Sequence, residues 1–311
     1  MKCLYCYLPI EGAEIDFHSH CATKMFGTSV PPVIEVDLKK IEELAQQIVI
    51  KRVAITGVQP KLSLNIERHK NQLSRLTIVG MQGDYILKPP SAIYAELPEN
   101  EDLTMHMAEA INISVAKHCL IRLNTGAVAY LTKRFDRKKG KKIAVEDFCQ
   151  LSESLTEHKY RGSIEKIGKL THQFTANKGY EAQRLFELVL FCYLTGNADM
   201  HLKNFSLIEH VTDEYSISPA YDLLNTELVI SDDKEESALT INGKKNRLKR
   251  SDFDTLARSL KINEKALAYI YKRFEKALPK WEEMIAQSFL SKEMQAKYTE
   301  LLSLRHHKLF G

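Results

Sequence analysis

No stretch of the sequence approaches the roughly 20 consecutive apolar residues that a membrane-spanning helix requires. The opening MKCLYCYLPIEG has neither the continuous apolar segment nor the small-residue cleavage site of a signal peptide. A cytoplasmic protein is therefore expected. Cysteine is sparse: Cys3, Cys6, Cys21, Cys119, Cys149 and Cys192 sit mostly among apolar neighbours, a pattern of thiols or metal ligands and not of a disulfide framework. Net charge is also small, 44 basic against 40 acidic residues for a balance of +4. That argues against direct nucleic-acid binding without opposing anionic ligands such as phosphates. Internal repeats, low-complexity tracts and long linkers are absent.

What is present is an ordinary globular composition, 44% hydrophobic and 27% charged. At 311 residues the chain is long enough for two lobes, because single cores stop growing at roughly 250–300 residues. The first 22 residues read as loop. The segment PPVIEVDLKKIEELAQQIVIKR then reads as a turn and a helix, with Leu38, Ile41, Leu44 and Ile48 on one face. From Val53 the pattern shifts to short strands, VAITG, KLSLNIE, LSRLTIV and DYILKPP, broken by Gly, Pro, Asn and Lys. A helix over ENEDLTMHMAEAINI follows, and CLIRL and VAYLTKRFD close a small antiparallel sheet. Beyond Asp136 helices are expected at 146–155, 163–176, 180–195, 251–260, 263–277 and 290–304, with a hairpin over 204–226. The expected organisation is α+β: a cysteine-rich strap over 1–22, a sheet-rich lobe over 23–136 and a helical lobe over 137–311.

The chemistry gathers in GNADMHLKNFSL, residues 196–207. Polar residues crowded between apolar segments are costly unless paired or used. Phosphoryl transfer needs metal ions on the phosphates, a basic group beside them, and an acceptor for the incoming hydroxyl's proton. Asp199 and Asn204 have the D-x-x-x-x-N spacing of a catalytic aspartate and a metal-binding asparagine. Asp222, in SPAYDLL, falls at an expected strand end where a second metal-binding carboxylate belongs. Lys88 in YILKPP is flanked by apolar residues, a good position for a lysine reaching phosphates, with Glu96, Glu99 and Glu101 as possible carboxylate partners. Lys203 is suited to neutralising a transferring phosphate, whereas His201 reads as structural. Upstream, ITGVQPKLSL offers Thr56, Gly57, Val58, Gln59 and Lys61 as a phosphate-cradling turn, although it matches neither G-x-x-x-x-G-K-[ST] nor G-x-G-x-x-G.

Seven motifs in order, ITGVQPKLSL, YILKPP, LPENE, KRFDR, EDFCQLS, GNADMHLKNFSL and SPAYDLL, make the chain resemble the HipA-like serine/threonine kinase toxins over residues 50–305. Its length resembles the short HipT type of three-gene HipBST systems. The resemblance implies a bilobal fold related to protein kinases and phosphoinositide kinases, with ATP and magnesium as cofactors. It implies Asp199 as the catalytic residue, Asn204 and Asp222 as metal ligands, Lys88 on the ATP phosphates, and Lys133, Arg134 and Phe135 near the adenine. Glu146, Asp147 and Gln150 then support the active site. The implied substrate is an aminoacyl-tRNA synthetase, whose modification inhibits translation. The implied partners are a small HipS-like protein and a helix-turn-helix HipB-like DNA-binding antitoxin. Self-phosphorylation in the family falls on serine near the glycine turn, where this chain has Ala54 and Thr56, with Ser63 further along. The rival expectation is an inactive nucleotide-binding module that engages antitoxin and DNA-bound partners.

Two features stand outside this reading. Cys3, Cys6, His18 and Cys21 form C-x2-C and H-x2-C pairs whose ligand types suit tetrahedral zinc, with His20 as an alternative ligand. The other interpretation is a small strap packed on the first lobe. The basic runs RKKGKK (137–142) and NGKKNRLKR (242–250) read as exposed loops, the second also as a docking surface for an acidic substrate.

Overall fold

The computed structural model describes residues 1–12, 14–34, 61–68, 73–79, 82–138, 140–211, 214–230 and 235–311. The expected helix around Leu38–Ile48 and the turn residues Thr56, Gly57, Val58 and Gln59 lie outside the described residues. The chain divides into two compact units, one of residues 1–102 and 116–140, the other of 103–115 and 141–311.

The first unit is built on strands β1 (Leu62–Glu67), β2 (Arg75–Ile78), β3 (Tyr85–Lys88), β4 (His118–Arg122) and β5 (Val128–Lys133). They form one antiparallel sheet in the order β2-β1-β3-β5-β4. Leu62 and Leu64 of β1 are buried while Ser63 and Asn65 are half-buried, the alternation of a strand covered on one face. In β4 and β5 the runs Cys119–Ile121 and Ala129–Leu131 are buried without alternation, so both faces are covered there. The outer edge of β4 is closed by the N-terminal segment, since the Leu120 amide donates to the Leu4 carbonyl at 3.0 Å. Arg122 adds a two-pronged contact with the Asp16 carboxylate. Entry into β3 requires glycine at 83: its amide donates to Ser63 Oγ at 2.9 Å, and a Cβ there would sit 2.5 Å from that oxygen.

In the second unit the helix Lys178–Leu194 has eleven of its 17 residues buried, which marks it as the central helix and not a surface one. Helices Ile164–Phe174, Arg250–Ser259 and Lys292–Phe310 pack against it. Side-chain caps start several of them: Ser163 Oγ accepts from the Lys166 amide, Asn177 Oδ1 from Tyr180, and Asn263 Oδ1 from Ala266. Trp281, wholly buried, meets Phe191 and Phe274 at centroid distances of 5.8 and 6.1 Å and donates its indole N–H to the Met107 carbonyl. Beside the helices lies a three-stranded antiparallel sheet of Glu214–Ile217, Ser206–Val211 and Val145–Asp147, in that order.

Three local expectations are corrected. The region 146–155 is a strand, Val145–Asp147, followed by a short helix, Phe148–Leu151. The Asp147 side chain caps the Gln150 amide and Gln150 caps the Asp147 amide, so the helix begins only after Asp147. Glu153, at φ 53°, turns the chain away. The first 22 residues are not all loop, because helix Ser19–Phe26 begins among them. A separate helix, Leu278–Gln287, opens with Pro279 in its first turn, and the last helix runs on to Phe310.

The tryptophan contact yields a stability prediction. Trp281→Ala should cost about 3–5 kcal/mol in denaturant unfolding of the second unit. A loss near zero would show that the helices do not close around this side chain.

Candidate functional site

The 196–207 segment follows directly on the buried central helix. Gly196 adopts φ 73°, and a Cβ there would lie 2.6 Å from Asn225 Oδ1, so the bend requires glycine. The Gly196 carbonyl accepts from the Thr226 amide and hydroxyl, and the same hydroxyl accepts from the Ala198 amide. Two loops are thereby sewn together.

Asp199 is half-buried at the next turn. Its backbone carbonyl accepts from the His201 amide at 2.8 Å and from Asn204 Nδ2 at 3.0 Å. A carbonyl can only accept, so the Asn204 amide group faces Asp199, and its Oδ1 is the atom left to act as a ligand. Asp199 Oδ1 accepts from the Tyr160 hydroxyl at 2.6 Å. The Tyr160 ring also meets His201 edge-on at 5.0 Å. Burial holds the His201 imidazole below its ordinary pKa, against the opposing pull of Asp199 and Asp222. The negative charges of Asp199 and Asp222 both act on this one imidazole. The buried His201 Nδ1 has no hydrogen-bond partner among the described residues.

Asp222 is not at a strand end. It sits in a bend beyond the strand Glu214–Ile217 with φ 55°, a conformation that costs a non-glycine residue of order 1–3 kcal/mol. Its neighbours hold it there: the Tyr221 hydroxyl bonds the Lys203 carbonyl at 2.9 Å and Ser206 Oγ at 2.5 Å, and Leu223 is fully buried. Lys203 reaches back to Asp147 Oδ2 at 2.9 Å, so Asp147 joins this loop to the helix it caps. Glu146 and Gln150 are exposed. Asn204, Asp222, His201 and Lys203 are thus gathered with Asp199 in the second unit. Tyr160 and Tyr221 give no spacing signal; only their placement shows that Tyr160 holds Asp199 and that Tyr221, anchored on Lys203 and Ser206, holds the backbone entering Asp222.

In the first unit Lys88 ends β3 and is 3% exposed. Of the three candidate glutamates it pairs with Glu101, Nζ to Oε1 at 2.5 Å, itself buried. Burial pushes the Glu99 carboxyl up to about 7, reinforced by the negative charge of Glu96 and Asp102. Arg134 grips Asp136 through two hydrogen bonds of 2.8 and 2.7 Å, Arg137 adds a third, and Lys133 lies over the Tyr85 ring. Phe135 is half-buried and Lys61 exposed. The Ser63 hydroxyl is engaged by the Gly83 amide. Lys138, Lys141 and Lys142 are exposed. In the second basic run Lys244, Asn242 and the Lys249 amide all bond the buried Asp252, which ties that loop to helix Arg250–Ser259. Cys3, Cys6, His18 and Cys21 come together near the chain start, one ligand atom from each within 4.8 Å of the others. Among the described residues no helix is long and apolar enough to cross a membrane.

The chain belongs to the family described as the HipA-like C-terminal domain, whose model matches residues 53–281. A Sinorhizobium fredii protein with a provisional kinase name is 31% identical over 228 residues, 69% of this chain and 55% of its own. The serine/threonine-protein kinase toxin HipA of Shewanella oneidensis is 25% identical over 211 residues, 61% of this chain and 47% of its own. The chain spans about half the length of the curated relatives it matches. The solved structure of that HipA with HipB and operator DNA is similar at a TM-score of 0.70 and 21% identity, covering 88% of this chain and 71% of its own. The fold is accordingly the two-unit α+β fold of the HipA-like kinases.

The Lys88–Glu101 pair predicts a specific non-additivity. Lys88→Met or Glu101→Met alone should destabilise the first unit by roughly 3–5 kcal/mol, because each takes the counter-charge of this ion pair away from a buried group. The double variant should recover much of that loss in a denaturation cycle. Simple addition of the two losses would show that the charges do not depend on each other.

Proposed function

We propose that this chain is an ATP- and magnesium-dependent protein serine/threonine kinase that acts as a HipT/HipA-like toxin. The observation that carries the proposal is the fixing of Asp199 and Asn204 to each other through one backbone carbonyl, with the chain entering Asp222 tied to the same loop by the Tyr221 hydroxyl on the Lys203 carbonyl. The donors offered by Asn204 and Asp222 are hard oxygens, the ligand type that magnesium takes, so the residues present fit the ion. Bound magnesium would neutralise charge on the phosphate oxygens.

The chain's own groups take the remaining roles. The Asp199 carboxylate orients a substrate hydroxyl and accepts its proton; with Oδ1 engaged by Tyr160, Oδ2 is the oxygen available. Tyr160 is a positioning residue that fixes the carboxylate plane. Lys88, steadied by Glu101, meets the phosphates, and Lys203, steadied by Asp147, offsets charge on the group in transfer. His201, kept neutral by burial, fills the space behind Asp199 without adding positive charge. The turn residues Thr56, Gly57, Val58, Gln59 and Lys61 complete the phosphate contacts on this reading, and Lys133, Arg134 and Phe135 approach the adenine. The protein substrate is an aminoacyl-tRNA synthetase, by the resemblance to the toxin family. The restraining partners are a HipS-like protein and a HipB-like antitoxin, a reading supported by the relative solved with HipB and operator DNA.

Transfer of labelled γ-phosphate from ATP to protein in a cell extract tests this. Asp199→Asn should lower the rate about 10²–10⁴-fold with the circular dichroism spectrum unchanged. Tyr160→Phe should lower kcat roughly tenfold with KM for ATP little altered. Wild-type protein that labels nothing, or an Asp199→Asn variant of full activity, defeats the proposal.

A further inference from the structure

The kinase reading leaves the N-terminal cysteines and histidine unused. The described residues among 1–18 contain no helix or strand beyond an isolated bridge of Lys2 with Pro9. Yet Cys3, Leu4, Tyr7 and Phe17 are buried. So short an irregular segment orders few apolar contacts against the entropy of fixing its backbone, and small segments of this kind are commonly stapled.

The side chains supply a staple. One ligand atom each from Cys3, Cys6, His18 and Cys21 lies within 4.8 Å of all the others. His18 Nδ1 stands 3.4 Å from Cys6 Sγ and 3.8 Å from Cys21 Sγ. A tetrahedral zinc with bonds of about 2.3 Å to sulfur and about 2.0 Å to nitrogen places its ligand atoms about 3.5–3.8 Å apart, so the donors stand close to the required spacing. We propose that Cys3, Cys6, His18 and Cys21 form a structural zinc site that fastens the N-terminal segment to the first unit.

Three further features fit. His18 Nε2 lies 2.9 Å from the Pro9 carbonyl; since a carbonyl cannot donate, the proton resides on Nε2 and the Nδ1 lone pair faces the sulfurs. This is the outer hydrogen bond that orients a ligating imidazole. The Cys3 amide donates to the Leu8 carbonyl at 2.9 Å and the Tyr7 amide to the Cys3 carbonyl at 3.0 Å, a tight turn that brings Cys3 and Cys6 together. Cys3 and Cys21 are almost wholly buried whereas Cys6 and His18 are half-buried, so the metal has a way in from one side. His20 Nε2 lies 3.3 Å from Cys21 Sγ alone and is outside the four. Four protein donors leave no open position, so the site is structural and not catalytic. Binding converts three thiols to thiolates and releases their protons, which makes zinc affinity rise with pH.

The site has a consequence for the sheet. The same segment closes the β4 edge through Leu4 and holds Asp102 through the Tyr7 hydroxyl at 2.7 Å. Zinc would therefore stabilise the unit that carries Lys88.

Metal analysis of the full chain, purified without an immobilised metal and dialysed against a weak chelator, decides the matter. About one zinc per chain is expected, with a drop of roughly tenfold or more in Cys6→Ser/His18→Ala and no change in His20→Ala. Cobalt loading of the wild type gives a second reading that needs no variant: tetrahedral d–d bands with thiolate charge transfer are expected. Absence of zinc together with absence of those bands overturns the proposal. Full zinc in a folded Cys6→Ser/His18→Ala variant, or a disulfide among these three cysteines in the native chain, overturns it equally.

Discussion

One backbone carbonyl organises the candidate site. The chain leaves the central helix through Gly196 and must cross a buried region before entering the strand Ser206–Val211, so its peptide groups need partners inside the protein. The Asp199 carbonyl finds two, the His201 amide and the Asn204 side chain. That second bond turns a five-residue spacing into geometry: Asn204 can neither rotate nor flip without leaving the carbonyl half-satisfied. Tyr160 from one side and the Tyr221 hydroxyl on Lys203 from the other lock the remaining freedom. Asp222 then bears its left-handed conformation because the residues flanking it are buried or bonded and cannot relax.

The first unit solves a different problem. Lys88 is almost fully buried, and a buried ammonium without a counter-charge is strongly unfavourable. Glu101 provides the charge and the Tyr130 ring lies 5.4 Å below the ammonium. Next along the helix Leu97–Glu109, Asp102 is shared between Tyr7 and His118, so the residues after Pro98 tie the sheet to the N-terminal segment. Polar pairs set this deeply specify one arrangement of helix and strand. The N-terminal knot of Cys3, Cys6, His18 and Cys21 stands at the far end of the same chain of contacts.

Much of this was legible in the sequence, for identifiable reasons. KLSLNIE is read as a strand and 180–195 as a helix, and the structure has both, the strand covered on one face and the helix largely buried through the apolar run LFELVLFCYL, which only Glu187 interrupts. The grouping of Asp199, His201, Lys203 and Asn204 was visible because polar residues between apolar segments stand out. The role of Asp147 was harder to see: it caps a helix and grips Lys203, and a capping box misread as helix interior moved the element by several residues. The choice of Glu101 over Glu96 and Glu99 depends on which side of a helix faces Lys88, and acidic residues spaced over two turns do not reveal that. Tyr160 was invisible, being far from Asp199 in sequence and lying in an irregular segment. Helix Leu278–Gln287 falls between the expected helices 263–277 and 290–304, because Pro279 reads as the stop of the preceding helix although it sits in the first turn of a new one.

The account rests on Asp222 and Asn204 presenting oxygens to a divalent ion bound with nucleotide. Calorimetric titration of ATP, with and without magnesium, into wild type and Asp222→Asn tests this most directly. The account predicts that magnesium tightens ATP binding to the wild type by roughly tenfold or more, and that this gain disappears in the variant. Undiminished magnesium-dependent tightening in a folded Asp222→Asn protein would contradict it.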